Sequence, residues 1–190
     1  MRIDQVVAEH RWNIAAFVWG FAEATLFFIV PDVLLSFVAL ERGGKAGATA
    51  SVFAALGAGA GGTLMFAWSA ADAEAARAAV LAAPAINEPM AHAAAHSVAA
   101  LGWFWATLLG PLSTTPYKLY AILAPQAGAP ILLFAAASVV ARLPRFLLVS
   151  AGVALIGRWL APWLGAPRLP WVLAGCWALF YLIYFSLNPS

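Results

Sequence analysis

Five ionisable side chains stand where such groups are rare. Glu23 and Asp32 interrupt an apolar run from Ile14 to Leu40, and Lys118, Arg142 and Arg145 interrupt a second apolar region further along. Unpaired and facing lipid, each costs roughly 2.5 to 3.5 kcal/mol at the bilayer centre, so the five together would cost roughly 12 to 17 kcal/mol. That rivals the whole stability of a typical domain, so the groups must pair, neutralise or line water. Arg142 and Arg145 offer guanidinium forks that match phosphate geometry, and Lys118 adds a compact charge. This chemistry points to substrate binding of an anionic headgroup by Lys118, Arg142 and Arg145. Glu23 and Asp32 become the proton-coupling acids, because a carboxyl's charge depends on its hydration and on the nearness of an arginine. The competing account is a static ion-pair network that pins two segments together.

The elements that must position these groups follow from composition. The chain has 190 residues, 64% hydrophobic and 9% charged, with a mean hydropathy of +0.88. That predicts an all-α polytopic membrane protein. A net charge of +2 with dispersed cations gives no reason for a nucleic-acid partner. The lone Cys176 has no partner for an intramolecular disulfide, and a small buried side chain is expected there. Trp12, Trp68, Trp159, Trp163 and Trp171 near the ends of apolar segments suit the headgroup level. Met1 to Arg11 reads as a surface helix and not as a cleaved signal.

Pro31 removes a backbone donor and disfavours helical geometry at Val30, so residues 12–40 are predicted to form a re-entrant hairpin instead of one spanning helix. Residues 47–71 are long and apolar enough to cross. Gly57 and Gly61 within them have the spacing that lets another helix approach closely. Gly57, Gly59, Gly61 and Gly62 lack the preceding strand of a dinucleotide fingerprint. Residues 72–99 read as an extracytoplasmic loop with short surface helices; His92 and His96 there would need Glu88 or another ligand to hold a metal, and two solvated histidines are the simpler expectation. Residues 100–128, broken by Gly110, Pro111, Ser113, Thr114, Thr115, Pro116 and Lys118, are predicted as a second re-entrant hairpin, in which Ser113 has no nearby base that would make it a nucleophile. Residues 131–157 follow as a span in which Pro144, between the two arginines, is expected to bend the helix. Residues 169–187 form a final uncharged span, assigned to packing.

If both broken runs return to their own side, Arg2, Arg11, Arg42, Lys45, Arg158 and Arg168 face one side and only Arg77 the other, six against one; full crossing gives five against two. Either way the positive-inside rule sets the N-terminus in the cytoplasm. Hairpin plus span from one side, then hairpin plus span from the other, makes an inverted-repeat arrangement with one added helix.

The string Ala22-Glu23-Ala24 through Pro31-Asp32-Val33-Leu34-Leu35 and the element Thr115-Pro116-Tyr117-Lys118 carry a resemblance, as does Phe134 followed by Ala141-Arg142-Leu143-Pro144-Arg145-Phe146-Leu147. In these the chain resembles the YqaA-like branch of the DedA (SNARE-associated, VTT-domain) membrane proteins over most of residues 12–160. It departs at Phe28-Ile29-Val30, where a proline-richer turn would be expected, and at Leu143-Pro144, where a glycine would be. The resemblance implies two re-entrant hairpins, acids and arginines needed for activity, and translocation of phospholipid or polyprenyl phosphate in the inner membrane. The expected function is therefore a lipid translocase, proton-coupled, with membrane lipid and protons as partners and neither a cofactor nor an enzymatic centre. A homo-oligomer is left open. A proton-coupled exporter of small ions or drugs and a non-transporting assembly scaffold are the alternatives.

Overall fold

The computed structural model describes residues 3–110, 113 and 115–187; Arg2, Pro111 and Thr114, which enter the sequence reading, lie outside them. Among the described residues all regular structure is helical. The helices are α1 (Ile3–Ala24), α2 (Asp32–Arg42), α3 (Gly44–Ala71), α4 (Ala73–Leu81), α5 (Glu88–Leu109), α6 (Tyr117–Leu123), α7 (Ile131–Leu164) and α8 (Leu169–Leu187). Three segments, Gly44–Ala71, Ile131–Leu164 and Ala166–Leu187, are long and apolar enough to cross a membrane. Large apolar side chains cover their outer faces, among them Leu132 at 81% exposure and Trp171 at 80%. A surface of this kind suits lipid and makes this an integral membrane protein.

The α1–α2 break falls where Pro31 predicts it. In an unbroken helix the Pro31 nitrogen would bond the Phe27 carbonyl, and it has no hydrogen to do so. The chain leaves helix after Ala24 and re-enters at Asp32. Trp12 and Asn13 of α1 then line the same hollow as Arg42 and Lys45, so α2 returns to the level of Trp12. Gly43, at φ 87°, joins α2 to α3 in a backbone conformation that a side chain would strain.

α1 and α3 run side by side with their backbones in contact. Gly57 lies against the Phe17 carbonyl, Gly61 against that of Phe21, and Gly20 against that of Ala54, leaving no room for a Cβ at any of them. The four-residue spacing of Gly57 and Gly61 matches that of Phe17 and Phe21, as small residues at a helix seam require. α7 packs on α3 in the opposite direction: the Phe66 and Phe134 rings meet at 5.2 Å, and Ser51 and Ser150 share a 2.9 Å hydrogen bond. Gly44, at the start of α3, faces Ala154.

α6 lies along the far half of α3. The Tyr117 hydroxyl rests on Gly62, the Ser69 hydroxyl donates to the Ile122 carbonyl at 2.6 Å, and the Gln126 amide donates to the Ser69 carbonyl at 3.0 Å. Residues 72–99 are mostly helical: α4 is capped by Asp72, which accepts from the Ala75 N–H, and buries Ala76 and Val80 against Met65 and Phe66. α5 continues past residue 99, breaking at Gly102, whose φ of 76° only glycine adopts easily. α7 runs through Pro144 and on to Leu164, beyond the expected end at residue 157.

Arg11, Arg42 and Lys45 gather at one end of the bundle. The C-terminal part of α7, which carries Arg158, reaches the same end, since Gly157 packs on Leu40. Cys176 departs from expectation. It is exposed, in an open groove that it borders with Leu40 and Gly157, because α8 stands at the rim of the bundle and buries only Leu169 among its described residues.

Candidate functional site

Glu23 sits in the last turn of α1 and Asp32 opens α2, so the break between those helices holds both acids near one level. Arg142 and Arg145 reach them from one face of α7. Arg142 donates to Glu23 in a buried ion pair, and Arg145 donates to Asp32 at 3.0 Å. The two pairs differ in environment. Both partners of the first are over nine-tenths buried, whereas in the second the Arg145 side chain is 42% exposed and that of Asp32 only 2%. Out of water an ion pair of the first kind must be closely matched to survive.

The Arg142 guanidinium is also held between two rings, 4.9 Å from the Tyr117 centroid and 5.3 Å from that of Phe146. Such contacts are worth up to about 2 kcal/mol when desolvated. Tyr117 is fixed in turn by donating to Ser138, which donates to the Phe134 carbonyl at 2.7 Å. Arg142 Nε and Asp32 Oδ1 remain buried without a hydrogen-bond partner.

The backbone of the 25–31 turn is satisfied by side chains from three directions. Lys118 Nζ donates to the Phe27 carbonyl at 2.7 Å, the carbonyl that Pro31 leaves free. Trp19 Nε1 donates to the Ile29 carbonyl at 3.0 Å, and the Val30 N–H donates to the Tyr181 hydroxyl at 2.9 Å. Irregular backbone packed among apolar helices needs such partners. Replacing Lys118 with Met keeps the stem and removes the donor, and is expected to cost about 1 kcal/mol, the low end of the penalty for an unsatisfied carbonyl, since this one is part-buried. Unfolding in mixed micelles measures it; an unchanged midpoint would show that water replaces the ammonium freely.

These groups border one cavity of about 240 Å³. Its charged lining is Glu23, Lys118, Arg142 and Arg145, three cations facing one acid. Asp32 does not line it and lies behind Arg145. At roughly 30 Å³ per liquid water, the space holds a phosphate-sized anion with water to spare. Ser113 and Thr115 approach from the turn before α6, and Pro84 and Ile86 from the turn between α4 and α5. The Ser113 hydroxyl donates to the Gly110 carbonyl at 2.7 Å, a backbone task.

Of the five charges the sequence singled out, four line the cavity and Asp32 pairs with Arg145 behind it; the aromatic wall was missed. Tyr117, Phe180, Tyr181 and Tyr184 line the cavity, so α8 is more than the packing helix it was expected to be. Trp177, Tyr181 and Tyr184 recur at helical spacing in an uncharged span, the signal that marks one shared face. His92 and His96 are exposed. Glu88, their nearest candidate co-ligand, pairs with Arg77 across an exposed contact, and among the described residues no group of three metal-ligating side chains forms.

No protein-family model, curated protein or solved structure matches the chain.

Proposed function

We propose that this protein is a membrane lipid translocase that moves a phosphate-bearing lipid, a phospholipid or polyprenyl phosphate, with Lys118, Arg142 and Arg145 as headgroup ligands. The observation that carries the reading is the cavity itself, in which three cations face one carboxylate where the turns before α2 and before α6 meet. An anion entering it competes with Glu23 for Arg142 and with the Phe27 carbonyl for Lys118. Charge-assisted contacts to a phosphate are strong enough to win such an exchange. Glu23, losing its counter-ion in a poorly hydrated place, then takes up a proton, and Asp32 does the same behind Arg145.

In this reading α1–α2 and the end of α5 with α6 are two re-entrant hairpins, α3 and α7 the spans that follow them, and α8 the added helix. The return of α2 to the level of Trp12 and the antiparallel course of α3 and α7 support an inverted repeat. The DedA resemblance supports the same assignment. The gathering of Arg11, Arg42 and Lys45 at one end supports a cytoplasmic N-terminus by the positive-inside rule, and the inner membrane is the location that the DedA resemblance implies.

Purified protein in proteoliposomes with labelled lipid, with and without a pH gradient, tests this. The expected result is flipping that the gradient accelerates, and a Glu23→Gln variant that no longer responds to the gradient. Full gradient dependence in Glu23→Gln would remove Glu23 from the coupling. The closed Glu23–Arg142 and Asp32–Arg145 pairs favour a second reading, a static scaffold; no flipping of any labelled lipid by folded protein would support it.

A further inference from the structure

α8 touches the rest of the molecule through a narrow face. Trp177 Nε1 donates to the Ser36 hydroxyl at 2.9 Å, Tyr181 accepts from the Val30 N–H at 2.9 Å, and the Phe185 ring meets Phe28 at 5.6 Å. Positions 177, 181 and 185 are successive four-residue steps on one helical face. All three partners belong to α2 or to the turn before it. Tyr181 also borders the cavity alongside Lys118, Arg142 and Arg145.

A phenol is both donor and acceptor. The Tyr181 oxygen is held in place as the acceptor of the Val30 N–H. Its own proton is a separate donor, carried by a side chain that faces a space lined by cations. A hydroxyl in that position adds, from α8, a donor to those that the cations of α6 and α7 offer an anion with several oxygens.

Resting on the reading of the cavity as an anion site, we propose that Tyr181 is a further ligand of the bound phosphate group, donating its O–H to a phosphate oxygen. α8 is then part of the substrate site. A hydroxyl that donates to an anion becomes a better acceptor through polarisation along the chain of bonds. Occupancy therefore tightens the Val30–Tyr181 contact and draws α8 onto the turn before α2. A lipid phosphate headgroup and free phosphate share this chemistry.

Titration calorimetry on the full chain in maltoside micelles tests the proposal, with dodecyl phosphate in one arm and inorganic phosphate in the other. Wild-type protein is expected to bind at least one of them. Preference for dodecyl phosphate identifies a lipid ligand, and preference for inorganic phosphate a soluble one. Tyr181→Phe is expected to weaken that binding about tenfold, the factor for losing one hydrogen bond to a charged group. That variant also takes the acceptor away from Val30, so a second one carries 3-fluorotyrosine at position 181, a stronger donor and a weaker acceptor. Assayed where the phenol keeps its proton, it should bind the phosphate more tightly than wild type. A merely structural tyrosine would give no tightening. Equal affinity of wild type and both variants would overturn the role of Tyr181 and leave the anion site standing. Failure of wild type to bind either probe, in folded protein, would overturn the anion site and the proposal with it.

Discussion

Arg142→Met is expected to lower the unfolding free energy by about 3–5 kcal/mol and to abolish lipid flipping, whereas adding Glu23→Met restores most of the stability and none of the flipping. The asymmetry comes from what each variant leaves behind. The single change strands a carboxylate that is over nine-tenths buried, and an uncompensated buried charge is far costlier than a missing pair. The double change leaves an apolar side chain at position 142 against Tyr117 and Phe146, where apolar contacts replace the cation–ring contacts, and a second apolar side chain at position 23 in place of the stranded carboxylate. Denaturant unfolding in mixed micelles reads the first quantity and proteoliposome flipping the second. The two together separate the readings of the site. A static network predicts that function follows stability, so a stable double variant that still flips lipid would refute any role for these charges in transport. A single variant as stable as wild type would mean that Glu23 escapes the stranded charge, by taking up a proton or by gaining water.

Gly57→Leu carries the second large effect, and it is one of packing alone. A Cβ at Gly57 lands on the Phe17 carbonyl, which is backbone and cannot rotate aside. The expected cost is at or beyond the top of the roughly 1–3 kcal/mol range for overpacked sites, because relief requires α1 and α3 to separate along the whole seam of Phe17 with Gly57 and Phe21 with Gly61. Glu23 lies two residues past Phe21, so the same separation draws the acid away from Arg142, and flipping should fall with stability. Gly152→Ala is the control. Nothing stands within 4 Å of a Cβ there, and alanine's better helix propensity makes that change neutral or slightly stabilising. Thermal unfolding in detergent distinguishes the pair; equal midpoints for Gly57→Leu and Gly152→Ala would contradict the close α1–α3 contact.

Much of this was legible in the residues. Hydropathy gives the membrane class and the spanning segments, since burying a backbone in lipid leaves helices as the economical solution. Pro31 gives the break between α1 and α2, because a missing N–H is a property of one residue and needs no tertiary partner. Gly57 and Gly61 give a seam, because small residues four apart make a groove on whichever helix bears them. Five ionisable groups in apolar runs identify themselves by their cost.

Tertiary structure decided what these local facts leave open. Periodicity tells which residues share a face of one helix, but not which face of another helix will meet it. So the sequence could name Glu23, Asp32, Arg142 and Arg145 without matching Glu23 to Arg142 and Asp32 to Arg145. Nor could it send Lys118 to the carbonyl that Pro31 frees. It expected Cys176 to be buried when the packing of α8 leaves it exposed, and it passed over Tyr181, which meets a backbone N–H a great distance away in sequence. In a chain this apolar, nearly every face is hydrophobic, and the choice between protein and lipid as neighbour is made by close packing and hydrogen-bond satisfaction. Those are properties of pairs of segments, and only the assembled helices supply them.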